Sequence, residues 1–501
     1  MRRARHDSLV LVEVIDAFHP PSPPLRHMPP GLAYAIKLLQ EASNLTITFP
    51  IPSDWTKHVE DEIAKYISNI RDSLRDRLRI VQVSASEQNE LHLLAFMNGL
   101  VPFCTSLFTS APYRQTNGTV LTSIQQPDIC LLDVPVLTLS FASTTAMIHI
   151  MGPEELGGKG DVLAKSKLLA RETGKPIDEI LIKLFVPDKG QITKLIGLPQ
   201  VYDYECYVKL SVTSFNFFLK HKRRYTRKGL PRELHLFSLY RDCDGVVTTS
   251  SYIYERESND AFKAHYEGNG RSYYAAGPVT PTSAHQPSWD GVKTFLDRML
   301  QEHGGRSVIY VSFGSSFWPL NAEATWKVFE IIQQRQIPMI LVHNDGWLRP
   351  SFPDSLRVRF EESDSVLITQ WAPQNLILGH KLIPFDYTRP THPTFRIAWP
   401  VESDQIMNAM YIGELKHNIG YELLEVLERD ESKPLYRGYT PSGTLDAVEK
   451  EIQIVLHKAF GPDGAEKRRN AEIFKEKLSH LWDEDGDARL ELRRFIQDYL
   501  S

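Results

Sequence analysis

The stretch from Ser307 to Gln405 decides the fold of this chain. It carries four short motifs in order: SVIYVSFGS (307–315), VLIT (366–369), WAPQ (371–374) and WPVESDQ (399–405). The first two are apolar, β-branched runs separated by helix-length segments, as in the β-α units that build a parallel sheet. Polar residues follow directly after these runs, and ligands bind beyond the carboxyl ends of parallel strands. The stretch therefore predicts an α/β domain with a ligand site at one edge of its sheet.

Within this stretch the patterns predict strands at 308–313, 338–342 and 366–369 and a helix at 322–334. A similar alternation, with a predicted strand at 45–49, precedes it, which predicts two α/β domains in a chain of 501 residues. Residues 278–290 contain three prolines and few apolar groups, the composition of an exposed linker. We therefore predict an N-terminal domain over residues 1–277, a linker over 278–290 and a C-terminal domain over 291–480. The charged amphipathic pattern of residues 481–501 predicts a last helix that can pack back on the N-terminal domain.

The composition argues against several classes of protein. The formal charge of −5, from 57 basic and 62 acidic residues, gives no general attraction to nucleic acid. We find no secretory signal and no uncharged apolar run long enough to cross a bilayer, so we expect a cytoplasmic protein without a transmembrane segment. The four cysteines are widely spaced and form no C-x-x-C pair, which argues against a disulfide framework and a zinc site.

Three side chains after the predicted strands can bind a nucleotide. Ser315 follows Gly314, where the backbone can approach an anion closely and the serine hydroxyl can donate to a diphosphate. Trp371 offers a flat face on which a base can stack, and Gln374 offers amide groups to a base or a ribose. The alternatives are a simple strand-to-loop turn at Ser315 and a core tryptophan at Trp371.

Asp404 and Gln405 form a second candidate pair, ahead of a predicted helix that contains Asn408. A carboxylate can accept charge-assisted hydrogen bonds from neighbouring sugar hydroxyls, and an amide can add a donor and an acceptor. The alternative for Asp404 is an ordinary helix N-cap.

In this order, the motifs from Ser307 to Gln405 resemble the donor-binding half of the family 1 UDP-glycosyltransferases of plants and fungi. The resemblance implies a GT-B fold, which consists of two facing Rossmann-like domains. It implies transfer of a hexose from a UDP-sugar to a hydroxyl of a lipophilic small molecule, with inversion. It implies Ser315, Trp371, Gln374, Asp404 and Gln405 as donor-binding residues, with Gln405 favouring glucose. It also implies no metal and no cofactor beyond the UDP-sugar co-substrate.

The same resemblance assigns the catalytic pair to the N-terminal domain, which would bind the acceptor. Family members carry a histidine base in a loop after the first strand, and His27, ahead of Pro30 and Gly31, is the best positional match. His19 is the second candidate. Asp133, at the end of an apolar run, resembles the aspartate that orients the base. The alternatives are a bystander histidine in the loop and a strand-end cap at Asp133.

Two gaps interrupt the resemblance. The phosphate-binding His-x-Gly-x-Asn-Ser segment that the family carries before its Asp-Gln pair is absent, and residues 380–393 contain three prolines instead. His392 or Arg389 could supply charge there. The helix that should follow Asp133 is also missing. An alternative interpretation is therefore a catalytically impaired, glycosyltransferase-like protein that at most binds ligands or partners. A further alternative is a sequence from which coding segments have been removed in error.

Overall fold

The structure is a computed structural model. It describes residues 8–10, 28–52, 55–67, 76–83, 103, 106, 111–115, 118–121, 137–140, 142–185, 189–206, 243–279, 290–314, 318–319, 321–343, 350–379, 396–401, 404–427 and 433–499.

The described residues form short strands and helices in alternation. The strands are β1 (Ser8–Val10), β2 (Thr46–Pro52), β3 (Leu78–Val83), β4 (Tyr113–Arg114), β5 (Val120–Leu121), β6 (Leu137–Ser140), β7 (Ile192–Thr193), β8 (Val201–Tyr202), β9 (Gly245–Thr248), β10 (Ser272–Ala275), β11 (Ile309–Ser312), β12 (Met339–Val342), β13 (Val366–Thr369), β14 (Arg396–Ala398) and β15 (Gly420–Glu422). The helices are α1 (Met28–Glu41), α2 (Thr56–Ile67), α3 (Thr144–Met151), α4 (Val162–Thr173), α5 (Ile177–Phe185), α6 (Tyr252–Gly268), α7 (Asp290–His303), α8 (Ala322–Gln334), α9 (Asp354–Glu361), α10 (Gln374–Gly379), α11 (Gln405–Ile412), α12 (Leu445–Ala459), α13 (Pro462–Ser479) and α14 (Asp487–Tyr499).

The chain packs as two compact units. The first unit consists of Met1–Phe141, Ala276–Ser288 and Leu481–Ser501, and the second consists of Ala142–Ala275 and Trp289–His480. The second unit thus includes residues from both sides of the predicted linker. The predicted domain boundaries at residues 277, 290 and 480 stay a prediction.

The first unit is built on a parallel sheet in the order β1-β2-β3. Phe49 and Ile51 of β2 pack with Trp55 and Val59 in its core. Strand β2 continues through two prolines, whereas the sequence predicts that it ends at Phe49. Strand β3 pairs with β2 from Ile47 to Pro52. The N–H of Ile47 donates to the carbonyl oxygen of Arg77, next to β3, at 2.8 Å. Because only alternate residues of a parallel strand donate to a given neighbour, Pro50 and Pro52 fall at positions that do not donate to β3.

Helix α14 ends the described chain and contacts α1 within the first unit. The carboxylate of Glu41 forms ion pairs with two arginines. Its oxygens lie 2.8 Å from Nε of Arg489 and 3.1 Å from Nε of Arg493. The indole Nε1 of Trp482 donates to the carbonyl oxygen of Pro278 at 2.8 Å. These bonds join three distant segments of the chain.

The second unit contains the sheet that the opening stretch predicts. Strands β11, β12 and β13 are parallel and in register, with Ser312, Val342 and Thr369 side by side at their last positions. Strands β14 and β15 form a second parallel pair. The predicted strand at 366–369 and the predicted helix at 322–334 are confirmed, and the predicted strands around 309–312 and 339–342 are confirmed within one residue at each end.

The core beneath this sheet explains why these segments fold as they do. Val308, Tyr310, Ile340 and Val342 pack against one face of α7 and against α10. Their side chains are almost fully buried. The burial of apolar surface is therefore the main contribution that holds the carboxyl ends of the strands in place.

Within the described part of the chain, no helix has the length and the hydropathy needed to cross a bilayer.

Candidate functional site

The candidate site lies at the carboxyl edge of the β11-β12-β13 sheet. Gly314 follows β11 with φ at +90°, a left-handed conformation that favours glycine. After β12, the backbone N–H of His343 donates to the carbonyl oxygen of Thr369 at 2.9 Å, which extends the pairing by one residue. Trp371 follows β13 at the same edge. The three chain segments therefore leave the sheet side by side.

Trp371 is held by its backbone, whereas its side chain is 51% exposed. The hydroxyl of Thr369 donates to the carbonyl oxygen of Trp371 at 2.7 Å. Ala372, Ile377 and Leu378, which follow it, are buried in the core beneath the sheet. The core alternative for Trp371 is therefore wrong, and its indole has a surface available for stacking. Gln374 is the first residue of α10 and is half-buried.

The end of β14 lies beside the end of β11. The rings of Phe313 and Trp399 meet edge to face with their centroids 5.3 Å apart. Asp404 and Gln405 follow Trp399 by a few residues, at the start of α11. The segments after β11 and β14 are therefore in contact, beside the sheet whose third strand, β13, leads to Trp371.

Asp404 occupies the N-cap position of α11, but its side chain does not cap that helix. Its Oδ2 atom instead accepts the backbone N–H of Ser143 at 3.4 Å and the side-chain Nδ2 of Asn408 at 3.1 Å. The Oε1 atom of Gln405 accepts the N–H of Val401 at 2.8 Å. The simple N-cap alternative for Asp404 is therefore wrong.

A second carboxylate, which the sequence does not single out, binds the same end of α3. The Oε1 and Oε2 atoms of Glu255 accept the N–H groups of Thr144 at 3.0 Å and of Thr145 at 2.7 Å. The hydroxyl of Ser250 donates to Oε1 at 2.8 Å. Burial raises the pKa of the Glu255 carboxyl, although these hydrogen bonds lower it. No local pattern marks Glu255, because the two backbone N–H groups that it accepts lie 111 and 110 residues away in the sequence.

A small open cavity of about 340 Å³ adjoins the same sheet edge, between β12, β13 and α9. Its lining includes His343, Phe352, Arg357, Glu361 and Ile368. Trp371 is not part of its lining, so the cavity lies apart from the exposed indole.

Three of the predicted site residues, His27, Asp133 and Ser315, lie outside the described residues, as do His19, Arg389 and His392. Their predicted roles stay predictions. The structure describes Trp371, Gln374, Asp404 and Gln405, and all four lie just after strands of the second unit. Among the residues that the structure describes, no group of three or more His, Cys, Asp or Glu side chains could hold a metal ion.

Comparisons with known proteins agree with this geometry. No family model matches the chain. It is 30% identical to the UDP-glycosyltransferase eriJ of Hericium erinaceus over 326 residues, which cover 60% of this chain and 61% of that protein. It is 24% identical to the zeatin O-xylosyltransferase of Phaseolus vulgaris over 245 residues, which cover 45% of this chain and 51% of that protein. The chain therefore spans between half and about three fifths of the length of these relatives.

Two solved structures share the whole fold. A UGT transferase from Siraitia grosvenorii in complex with UDP gives a TM-score of 0.64 at 16% identity, covering 99% of this chain and 100% of that one. Phytolacca americana UGT2, complexed with UDP-2fluoro-glucose and pterostilbene, gives a TM-score of 0.59 at 15% identity, with the same coverage. These matches confirm the predicted GT-B fold. The chain is thus similar in sequence to UDP-glycosyltransferases of fungi and plants, and it shares the fold of the solved UDP-glycosyltransferase structures.

Proposed function

We propose that the chain is a UDP-dependent glycosyltransferase that moves a hexose from a UDP-sugar to a hydroxyl of a lipophilic small molecule. The observation that carries the proposal is the arrangement of Trp371, Asp404 and Gln405 after strands of one α/β unit. An exposed indole and a hydrogen-bonded carboxylate-amide pair supply the two contacts that a nucleoside diphosphate sugar needs, one for its base and one for its sugar. The cytoplasm stays the proposed location.

The donor contacts divide between two parts of the ligand. The indole of Trp371 stacks on the uracil ring, and the amide of Gln374 binds the base or the ribose. Asp404 and Gln405 bind sugar hydroxyls, with glucose as the proposed sugar. Ser315, after the left-handed Gly314, donates to the diphosphate. The segment that binds the diphosphate in the family is absent from the sequence, so the proposal assigns the phosphate contacts to the end of β11.

The proposed reaction is a single displacement with inversion. His27, oriented by Asp133, accepts the proton of the acceptor hydroxyl as its oxygen bonds to the anomeric carbon. The bond between that carbon and the diphosphate oxygen breaks, and UDP leaves with the electron pair. Side chains and backbone N–H groups, rather than a metal, stabilise the charge on the leaving group in this proposal.

The relatives support the reaction class more firmly than the sugar. The Phytolacca americana protein is complexed with UDP-2fluoro-glucose and pterostilbene. The name of the Phaseolus vulgaris relative refers instead to xylose. Glucose is therefore proposed from Gln405, and xylose is the competitor to include in any assay.

The second candidate function is a glycosyltransferase-like binding protein without transfer activity. The absence of the His-x-Gly-x-Asn-Ser segment before Asp404 favours it, because the family relies on that segment for the diphosphate. The missing helix after Asp133 points in the same direction.

A transfer assay separates the two candidates. The purified chain is incubated with UDP-glucose or UDP-xylose and with pterostilbene as the probe acceptor, with and without a metal chelator, and UDP release and product mass are followed. We expect glucoside formation that resists the chelator, has the inverted anomeric configuration and is lost in His27→Ala. A folded chain that forms no product with either donor would support the binding-protein alternative.

A further inference from the structure

Asp404 occupies the N-cap position of a helix without using its carboxylate as a cap. An N-cap aspartate normally accepts the N–H of the second or third helical residue. The Asp404 side chain makes no such bond. It points instead to Ser143, which is 261 residues away in sequence, and to Asn408, one turn along α11. The carboxylate is therefore held in an orientation that its own helix does not require.

Both of these bonds go to the same oxygen. Ser143 N–H and Asn408 Nδ2 both donate to Oδ2, and a carboxylate oxygen offers about two lone-pair positions. The orientation of the carboxylate therefore depends in part on these two donors.

Asn408 is itself fixed in place. Its backbone N–H donates to the carbonyl oxygen of Asp404 at 3.0 Å, and its own carbonyl oxygen accepts the hydroxyl of Tyr254 at 3.4 Å. One turn further along α11, the hydroxyl of Tyr411 bonds to that of Thr145 at 2.8 Å. Helix α11 is thus attached to the first turn of α3 at both of its ends, so the Asn408 amide has a defined position from which to hold Asp404.

We propose that Asn408 is a positioning residue for the donor sugar, which orients the Asp404 carboxylate through Oδ2. The inference rests on the proposed function, because Asp404 meets a sugar only if the chain binds a UDP-sugar. Without the Asn408 amide, Oδ2 loses the shorter of these two hydrogen bonds, and the carboxylate is held less firmly in the orientation that meets the sugar. The nucleotide contacts at Trp371 do not involve Asn408 and stay intact.

The test compares the dissociation constants of UDP and of UDP-glucose by calorimetry for the full chain and its variants. We expect Asn408→Ala to weaken UDP-glucose binding about tenfold and UDP binding less than about twofold, which corresponds to the loss of one well-aligned hydrogen bond to the sugar. Asn408→Gln keeps an amide that can bond to an aspartate one helical turn away, so we expect it to restore most of the sugar affinity. In a double-mutant cycle, Asn408→Ala should add nothing to the effect of Asp404→Ala.

Each other outcome overturns a defined part of the argument. If Asn408→Ala weakens UDP and UDP-glucose equally, its effect is a general loss of structure and the positioning role is wrong. If it weakens neither, or if the cycle is additive, the role is also wrong. If the wild-type chain binds neither ligand, the proposed function fails first and the inference fails with it. If the wild-type chain binds UDP but the sugar affinity is indifferent to Asn408, the inference alone fails.

Discussion

Two carboxylates bind the first turn of α3, and they differ in almost every other respect. Glu255 accepts two backbone N–H groups and a hydroxyl through bonds of 2.7 to 3.0 Å, and it is 1% exposed. Asp404 accepts one backbone N–H at 3.4 Å and one side-chain amide at 3.1 Å, and it is half-buried at the start of α11. One carboxylate is fully enclosed by the fold, whereas the other keeps part of its surface open to solvent.

The backbone of Glu255 also differs from that of an ordinary helix residue. Within α6 its φ and ψ are −135° and 53°, which departs from helical geometry and kinks the helix. The carboxylate satisfies N–H groups that the first turn of α3 leaves without intrahelical partners. Burial and the number of donors thus distinguish Glu255 from Asp404.

The largest expected effect is that of Glu255→Ala. It leaves two buried N–H groups and one hydroxyl without their acceptor, so we expect the free energy of unfolding to fall by about 4 kcal/mol. Glu257→Ala, two residues along the same helix, is the matched control. Glu257 forms only an exposed ion pair with Lys416, and its loss should cost less than about 1 kcal/mol. Chemical denaturation of both variants checks this, and equal losses would remove the distinction.

A third carboxylate extends the comparison to pH. Glu451 of α12 accepts the N–H groups of Leu424 and Glu425 at 2.7 and 3.0 Å, and burial raises its pKa from 4.5 to about 7. Because the folded state binds the proton more tightly than the unfolded state, this group stabilises the fold at low pH. Its contribution is lost as the pH rises from 4.5 through 7, by about 3 kcal/mol in all.

Glu451→Gln removes this titration. We expect the unfolding free energy of the wild type, relative to that of the variant, to fall by about 3 kcal/mol between pH 4.5 and pH 8 in paired denaturation curves. A difference that stays constant with pH would show that Glu451 is not a buried structural carboxyl of the kind that Glu255 represents.

For the exposed residues we expect substitutions to change ligand binding rather than the stability of the fold. Trp371→Ala removes a stacking surface worth about 2 kcal/mol, so the dissociation constant for UDP should rise about thirtyfold. Trp371→Phe keeps an aromatic face and should retain most of the affinity. Both variants should unfold like the wild type, because the side chain is half exposed. A large fall in the free energy of unfolding would show that the Trp371 side chain stabilises the fold, as Glu255 does.

The smallest effect on stability is expected for Asp404→Asn. The substituted amide can keep one of the two modest hydrogen bonds, so the free energy of unfolding should change by less than about 1 kcal/mol. Affinity for UDP-glucose should nevertheless fall more than affinity for UDP. If Asp404→Asn lowers the free energy of unfolding as much as Glu255→Ala does, both carboxylates are structural and the distinction between them is wrong.

Sequence predicts the part of this molecule that local patterns encode. Strand β13 and helix α8 follow from an apolar run and from helical periodicity, and both have the predicted bounds. The exposed Trp371 and the Asp404-Gln405 pair could be found because they stand directly after strands. Each of these predictions depends on only a few neighbouring residues in the sequence.

The rest depends on contacts between distant segments. From the sequence, Asp404 is indistinguishable from an N-cap and Glu255 from an ordinary helix residue. Only the structure shows that Ser143 lies beside Asp404 and that the start of α3 lies beside Glu255. The continuation of β2 through Pro50 could not be predicted, because a proline is tolerated only at strand positions that donate no ladder hydrogen bond, and those positions depend on how β2 pairs with β3. His27, Asp133 and Ser315 lie outside the described residues, so their positions rest on the sequence resemblance alone.

The measurement that tests the central claim most directly is a calorimetric titration of UDP into the full 501-residue chain. The account predicts one site with a dissociation constant in the micromolar range, despite the absent phosphate-binding segment, because Trp371 and the end of β11 still form a nucleotide site. A folded chain that shows no binding at millimolar UDP would contradict the account and remove the basis for sugar transfer by this sequence.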